Sequence, residues 1–206
     1  KWSGRCLECG SWGTLEEEVK DFKSIKEEEQ NLVSPADLIS LKEVEDKKLS
    51  RYLTGISEFN RVLGGGIVPG SLILLSGEPG IGKSTLAAQL ANSSSCEEVI
   101  YISGEESAVQ VKGRFERLKM NLDKFKFISE TNVEKIVAAV KKNKAPLFVV
   151  DSIQTVYSSL TPTEAGSVSQ IRSATVRFLE LAKENDISII LIGHITKDGQ
   201  VAGPKS

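Results

Sequence analysis

Nowhere in the 206 residues does an apolar run approach the roughly 20 residues that a membrane span requires, and the opening residues hold no signal-peptide core. A soluble, cytoplasmic protein with no membrane partner is therefore expected. Charge of one sign is also missing. The 26 basic side chains face 28 acidic ones, so no global basic field announces nucleic acid, and any such surface has to be a local patch. Cysteine is scarce and odd in number: of three, two stand as Cys6-Leu7-Glu8-Cys9, which argues against a disulfide framework and leaves metal binding or plain burial. Hydrophobic residues, at 40%, suffice for one full domain with a small appendage.

Three textures succeed one another along the chain. Residues 1–15 ("KWSGRCLECGSWGTL") are rich in Gly, Cys and Trp with little apolar periodicity, and read as a small knuckle in need of outside support. Residues 16–50 are charge-dense and read as a linker. From residue 51 to 206, short apolar runs alternate with amphipathic stretches, the pattern of an α/β domain with a mostly parallel sheet flanked by helices. The runs are 71–77, 98–104, 125–129, 146–151 and 187–193. Ile171, Ala174, Phe178, Leu181 and Ala182 share one helical face before the last of them. The lysines around Lys135 to Lys144 read as a solvated helix face. A start at Lys1 and an end on "VAGPKS" suggest a piece of something longer, incomplete at its carboxyl end.

The most informative stretch is Gly77-Glu78-Pro79-Gly80-Ile81-Gly82-Lys83-Ser84, which fits GxxxxGK[ST] between a predicted strand and a predicted helix. Its glycines free the backbone to turn successive N–H groups toward phosphate oxygens, and the helix after it adds its positive end. Lys83 supplies a point charge for the β and γ phosphates. The Ser84 hydroxyl is a hard-oxygen ligand for Mg²⁺, and ATP is expected across Gly77 to Thr85.

Asp151, closing "LFVVD", is placed to organise that Mg²⁺; the competing reading is a helix N-cap after a strand. Ser152 comes next, so the base that activates water has to come from elsewhere. Glu105, in "YISGEES" at the end of the second strand, is the choice, with Glu106 as the fallback; solvation or helix capping is the competing reading for both. His194, the single histidine, ends the last strand and is a candidate phosphate sensor or a structural side chain.

"TGISEFNRVLGGGIVPGSLILLSGEPGIGKST", the glutamate after the second strand and the polar residue after the last strand together resemble the RecA superfamily of P-loop ATPases. Within it the chain is most similar to the bacterial RadA (Sms) family of DNA-repair and recombination ATPases, on "KWSGRCLECGSWGTL", "YISGEES", "DSIQTVYS", "GSVSQIR" and "GHITKDGQVAGPK". The resemblance implies a RecA-like core in which the His194 strand lies between the strands of the glycine loop and of Asp151. It implies catalysis by Lys83 and Glu105, Mg²⁺ at Ser84 and Asp151, and His194 reporting γ-phosphate to DNA-facing loops. Those loops would be "YSSLTPTEAGSVSQIR" and "TKDGQVAGPKS", with Arg172, Lys197 and Lys205 available to the phosphates of single-stranded DNA. The implied partners are branched recombination intermediates, a RecA-type recombinase, and copies of the chain in a ring, a hexamer.

The sequence departs from that family in three places. Structural Zn²⁺ wants four thiolate or imidazole ligands, and Cys6 and Cys9 are half of such a set. Cys96 reads as a bystander. The family's KNRFG motif and its Lon-protease-like domain are not in this sequence, so efficient hydrolysis is expected only in a ring whose subunits complete one another's sites. Two functions stand against each other: a DNA-stimulated ATPase motor that promotes branch migration, and an ATP-switched assembly module with little hydrolysis. Phosphoryl transfer to a small molecule is weaker, for want of an arginine-rich lid.

Overall fold

The computed structural model describes residues 38–43, 50–143 and 145–194. The chain divides after Lys47. Residues 38–43 contain one turn, closed by the Glu43 N–H donating to the Ser40 carbonyl at 3.0 Å. The second unit, which begins at Lys48, carries the sheet.

Each of the five apolar runs forms a strand: β1 Leu72–Gly77, β2 Val99–Ser103, β3 Phe125–Ile128, β4 Leu147–Asp151 and β5 Ser188–His194. They pair in the order β1-β5-β4-β2-β3, parallel throughout. Helices alternate with them: α1 Ser57–Val62 before β1, then α2 Lys83–Ser93, α3 Ala108–Arg117, α4 Val133–Asn143 and α5 Val168–Asn185. Single 3₁₀ turns lie at Leu122–Lys124 and Ile153–Thr155.

A parallel sheet has to be covered on both faces, which is why its strands read as continuous apolar runs rather than alternating ones. Side chains still alternate, so parity assigns each to a face. Leu147 and Val149 of β4, with Ile190 and Ile192 of β5, face Ala87, Ala88, Val111 and Phe115 of α2 and α3. Phe148, Val150, Ile189 and Leu191 face Ile136 and Val140 of α4 and Ala174, Phe178 and Leu181 of α5. The five residues expected on the buried face of the last helix are all buried in α5. Lys135, Lys141 and Lys142 of α4 are exposed, the solvated face expected of them.

This parity positions the site. Asp151 shares the face of Leu147 and Val149, so its carboxylate is delivered to α2 and α3, not to α4 and α5. The register sets Gly77 of β1 beside His194 of β5, and Ser103 of β2 beside Asp151 of β4. All four lie at the carboxyl edge of the sheet, the side on which open parallel sheets bind ligands. The His194 strand lies between the strands of the glycine loop and of Asp151, as the family resemblance implies.

Candidate functional site

A crevice opens at that edge, and the glycine loop forms its floor. Gly80 and Gly82 hold φ values of +80° and +100°, the left-handed region where a side chain is strained, and a Cβ on either would meet no protein atom within 4 Å. The loop thus arches over open space while Gly82 serves as the N-cap of α2. Lys83 is buried, and its Nζ donates to the carbonyls of Gly77 and Glu78 at 2.9 and 2.7 Å. Those neutral acceptors hold the ammonium in place over the loop. A phosphate oxygen offers a stronger, charge-assisted bond and can replace them. Glu78, Pro79 and Ile81 are exposed on the outer side of the loop, and Thr85 lines the crevice from the first turn of α2.

Ser84 and Asp151 meet across the crevice wall, the Ser84 hydroxyl donating to Asp151 Oδ1 at 3.0 Å. Asp151 Oδ2 accepts from the buried Tyr101 hydroxyl at 2.5 Å. Burial, and then the adjacent carboxylate, push the Tyr101 phenol far above its ordinary pKa, so it stays a donor to Asp151. Among the described residues no three His, Cys, Asp or Glu side chains gather as metal ligands. A hydroxyl and a carboxylate side by side are nevertheless the hard-oxygen donor set that suits Mg²⁺, a cation that takes one or two protein groups and completes its shell with phosphate oxygens and water. The residues present fit Mg²⁺ with a nucleoside triphosphate.

The two adjacent glutamates after β2 are held differently. Both backbone N–H groups donate to the buried Ser103 hydroxyl, at 3.3 Å for Glu105 and 3.1 Å for Glu106. Glu105 is exposed and its Oε1 accepts from the Ser152 hydroxyl at 3.0 Å, one residue beyond Asp151. Glu106 turns instead onto Arg114 of α3. Neither caps the helix. Ser107 does, in a reciprocal capping box with Gln110. Gly104 makes this turn sterically possible, because a Cβ there would lie 2.3 Å from Thr131 Cγ2 and 2.9 Å from Thr155 Oγ1. His194 lines the same crevice, and its buried Nδ1 has no hydrogen-bond partner among the described residues. The Gln154 amide donates to the His194 carbonyl at 3.2 Å, tying the end of β5 to the 3₁₀ turn after Asp151.

The fold thus brings together Gly80, Gly82, Lys83, Ser84, Thr85, Glu105, Glu106, Asp151 and His194. Arg172 is elsewhere. Expected on a loop, it is in the first turns of α5, exposed and beside an apolar groove lined by Leu72, Leu74 and Val176; the Ser167 hydroxyl, accepting from Gln170 N–H, starts the helix ahead of it. Lys197, Lys205, Cys6 and Cys9 lie outside the described residues. Cys96 is buried and unbridged, and burial pushes its thiol up, the inert state expected of a bystander.

The loop of residues 157–167 is pinned by two side chains that sequence inspection passes over. The buried Gln170 accepts from the Ser158 N–H at 2.8 Å and donates to the carbonyls of Ser158, Thr161 and Thr163 at 3.2, 2.9 and 2.9 Å. Glu134 of α4 accepts from the Ser158 hydroxyl and from the Ser159 N–H and hydroxyl. Burial pushes the Glu134 carboxyl up, but the bonds from Ser158 and Ser159 outweigh it and hold the pKa below its ordinary value of 4.5. A carboxyl depressed in the folded state stabilises above its unfolded pKa and loses that contribution as pH falls through the folded value. Amide protection of Ser158 to Thr163 is therefore expected to fall on acidification below pH 4.5, ahead of global unfolding, and Glu134→Gln is expected to remove that pH dependence. Hydrogen-exchange mass spectrometry, corrected for intrinsic rates, checks this.

The chain is similar to known proteins. A family model described as "ATPase: KaiC" matches residues 52–131. The chain is 44% identical over 210 residues to a DNA repair protein RadA of Streptococcus pyogenes serotype M1, 42% over 213 to that of Bacillus subtilis (strain 168), and 41% over 208 to that of Aquifex aeolicus (strain VF5). In each case the match takes in 100% of this chain and 46% of the relative, so the chain spans about half the length of these curated relatives.

Proposed function

With the chain a homologue of the RadA DNA repair proteins that carries a KaiC/RecA-like ATPase domain, we propose that it hydrolyses ATP at the carboxyl-edge crevice and couples hydrolysis to movement on single-stranded DNA. The observation that carries the ATPase reading is the meeting of Ser84 with Asp151 at 3.0 Å, with Lys83 on one side and the Glu105–Ser152 pair on the other. The N–H groups of Gly77 to Thr85 would cradle the phosphates, and Lys83 would leave the Gly77 and Glu78 carbonyls for a phosphate oxygen. Ser84 and Asp151 would hold Mg²⁺, which when bound neutralises charge on the β and γ phosphates. Glu105, steadied by Ser152, would orient a water and take its proton.

His194 would then report the loss of the γ-phosphate through its strand, and through Gln154 to the loop of residues 157–167. The pinning of that loop by Gln170 and Glu134 supports a preorganised backbone-tracking surface rather than a slack connection. Arg172, Lys197 and Lys205 would supply phosphate contacts, and branch migration of recombination intermediates beside a RecA-type recombinase would be the use of the motor. The test is ATP turnover with and without single-stranded DNA: stimulation of severalfold is expected, and its absence in a chain that still binds ATP counts against the motor.

One feature favours a second reading, in which ATP switches assembly and is hydrolysed slowly. Lys83 and Arg114 are the cations lining the crevice among the described residues, and Arg114 is already engaged by carboxylates. A γ-phosphate would be incompletely neutralised by one chain. Turnover that rises with chain concentration would assign the missing charge to a neighbouring subunit of a homo-oligomeric ring and keep the motor; turnover that stays slow at every concentration supports the switch.

A further inference from the structure

Arg114 belongs to none of the motifs that define the site, yet its side chain is only 10% exposed and it lines the crevice. Its neighbours on α3, Lys112 and Arg117, stay in solvent. One nitrogen serves three acceptors: Nη2 donates to the Tyr101 hydroxyl at 3.2 Å, pairs with Glu106 Oε2, and lies 3.8 Å from Asp151 Oδ2. Nε and Nη1 are buried with no partner among the described residues. The guanidinium carbon is 5.5 Å from the ring centroids of both Tyr101 and Phe115, so aromatic faces replace water on that side of the cation. Burial works against the charge, but Tyr101, Glu106 and Asp151 hold it above its ordinary pKa.

Leaving two guanidinium nitrogens unsatisfied is costly, so what the burial fixes needs a reason. It fixes a division between two adjacent carboxylates. Glu106 is turned onto Arg114 and Glu105 is left exposed, steadied by Ser152 alone. Without the guanidinium, Glu106 and Asp151 would face each other across the same wall with no charge between them. Repulsion would swing Glu106 toward the space Glu105 commands and loosen Asp151 from Ser84.

We propose that Arg114 is a positioning residue of the ATPase site: it holds the Glu106 carboxylate against the crevice wall and, with Tyr101, fixes Asp151 against Ser84, leaving Glu105 as the carboxylate free to face a bound nucleotide. The proposal rests on the ATPase reading above. Lysine is no substitute, since its ammonium has no planar guanidinium to lie against the Tyr101 and Phe115 rings and is more strongly hydrated than a guanidinium.

The test compares the full chain as wild type, Arg114→Met, Arg114→Lys and Arg114→Met/Glu106→Gln. Each is measured for ATP affinity in EDTA, ATP affinity with Mg²⁺, and turnover. Arg114→Met is expected to lose about tenfold of the affinity gained from Mg²⁺, as groups behind a metal ligand commonly do, while affinity in EDTA stays within about threefold. Turnover is expected to fall by about 10²-fold, the effect of a misplaced catalytic group. Arg114→Lys recovers little of it. Adding Glu106→Gln to Arg114→Met recovers part, because the uncompensated carboxylate is gone. An unchanged Mg²⁺ gain in Arg114→Met, or a double variant no faster than the single one, overturns the proposal. So does an equal loss of affinity with Mg²⁺ and in EDTA, which marks Arg114 as structural only. If Arg114→Met does not fold, Arg114→Lys carries the same Mg²⁺ comparison. A wild-type chain that binds no ATP in either condition refutes the ATPase reading and the proposal with it; failure of the proposal alone leaves wild-type binding and its Mg²⁺ dependence intact.

Discussion

Replacing Glu105 by glutamine is expected to lower ATP turnover by about 10²- to 10⁴-fold, the range a positioned general base contributes, with ATP affinity changed by less than about threefold. The substitution is nearly isosteric, and the new amide oxygen can still accept from the Ser152 hydroxyl that Glu105 accepts from at 3.0 Å. Geometry is therefore kept and the proton acceptor is lost. Glu106 is badly placed to take over, because Arg114 already holds its carboxylate. Single-turnover kinetics with saturating ATP separates the chemical step from binding. Undiminished turnover in Glu105→Gln would remove Glu105 from the mechanism.

Asp151→Ala is expected to act on stability as well as on chemistry. The side chain is buried and accepts from the Ser84 and Tyr101 hydroxyls, with Arg114 close by. Its removal leaves a buried phenol without its acceptor, while Arg114 retains Glu106, so the loss falls short of that for a fully orphaned charge. About 2–3 kcal/mol of unfolding free energy is expected to go, which for a domain of this size lowers Tm by about 5–10 °C. Asp151→Asn is the informative companion. Its Oδ1 can still accept from Ser84, but its amide donors then face the Tyr101 hydroxyl and the Arg114 guanidinium. It should keep more of the stability and lose the Mg²⁺-dependent gain in ATP affinity all the same. A Tm within about 1 °C of wild type for Asp151→Ala would contradict the buried network.

The sheet was legible in the sequence because burial on both faces of a parallel sheet turns each strand into an apolar run, and the ends of all five agree to within a residue. The glycine loop was legible for a different reason: phosphate binding by backbone N–H groups demands glycine at particular spacings whatever surrounds it. Arg114, Tyr101 and Ser103 left no comparable mark. Tyr101 reads as one more aromatic in a buried strand, and Arg114 sits in "VKGRFERLK", where charge suggests a solvated helix. Their roles depend on which face of the sheet Asp151 presents and on the phase of α3 against it, and neither is local in sequence. Arg172 was displaced for a local reason, since "EAGSVSQIR" opens with loop-like residues whose last serine before the helix, Ser167, is its N-cap. The fallback role of Glu106 illustrates the same limit. Adjacent glutamates are equivalent on paper, and only the third dimension sends one to Ser152 and the other to Arg114.

If a single crevice organised by Lys83 both binds and hydrolyses ATP, the most direct test is Mg²⁺-dependent ATP turnover by the full chain beside Lys83→Ala. Turnover in the wild type that is abolished in the variant, with folding intact by circular dichroism, is the predicted result. Equal turnover in both would mean that ATP is hydrolysed somewhere other than the crevice formed by Lys83, Ser84, Glu105 and Asp151.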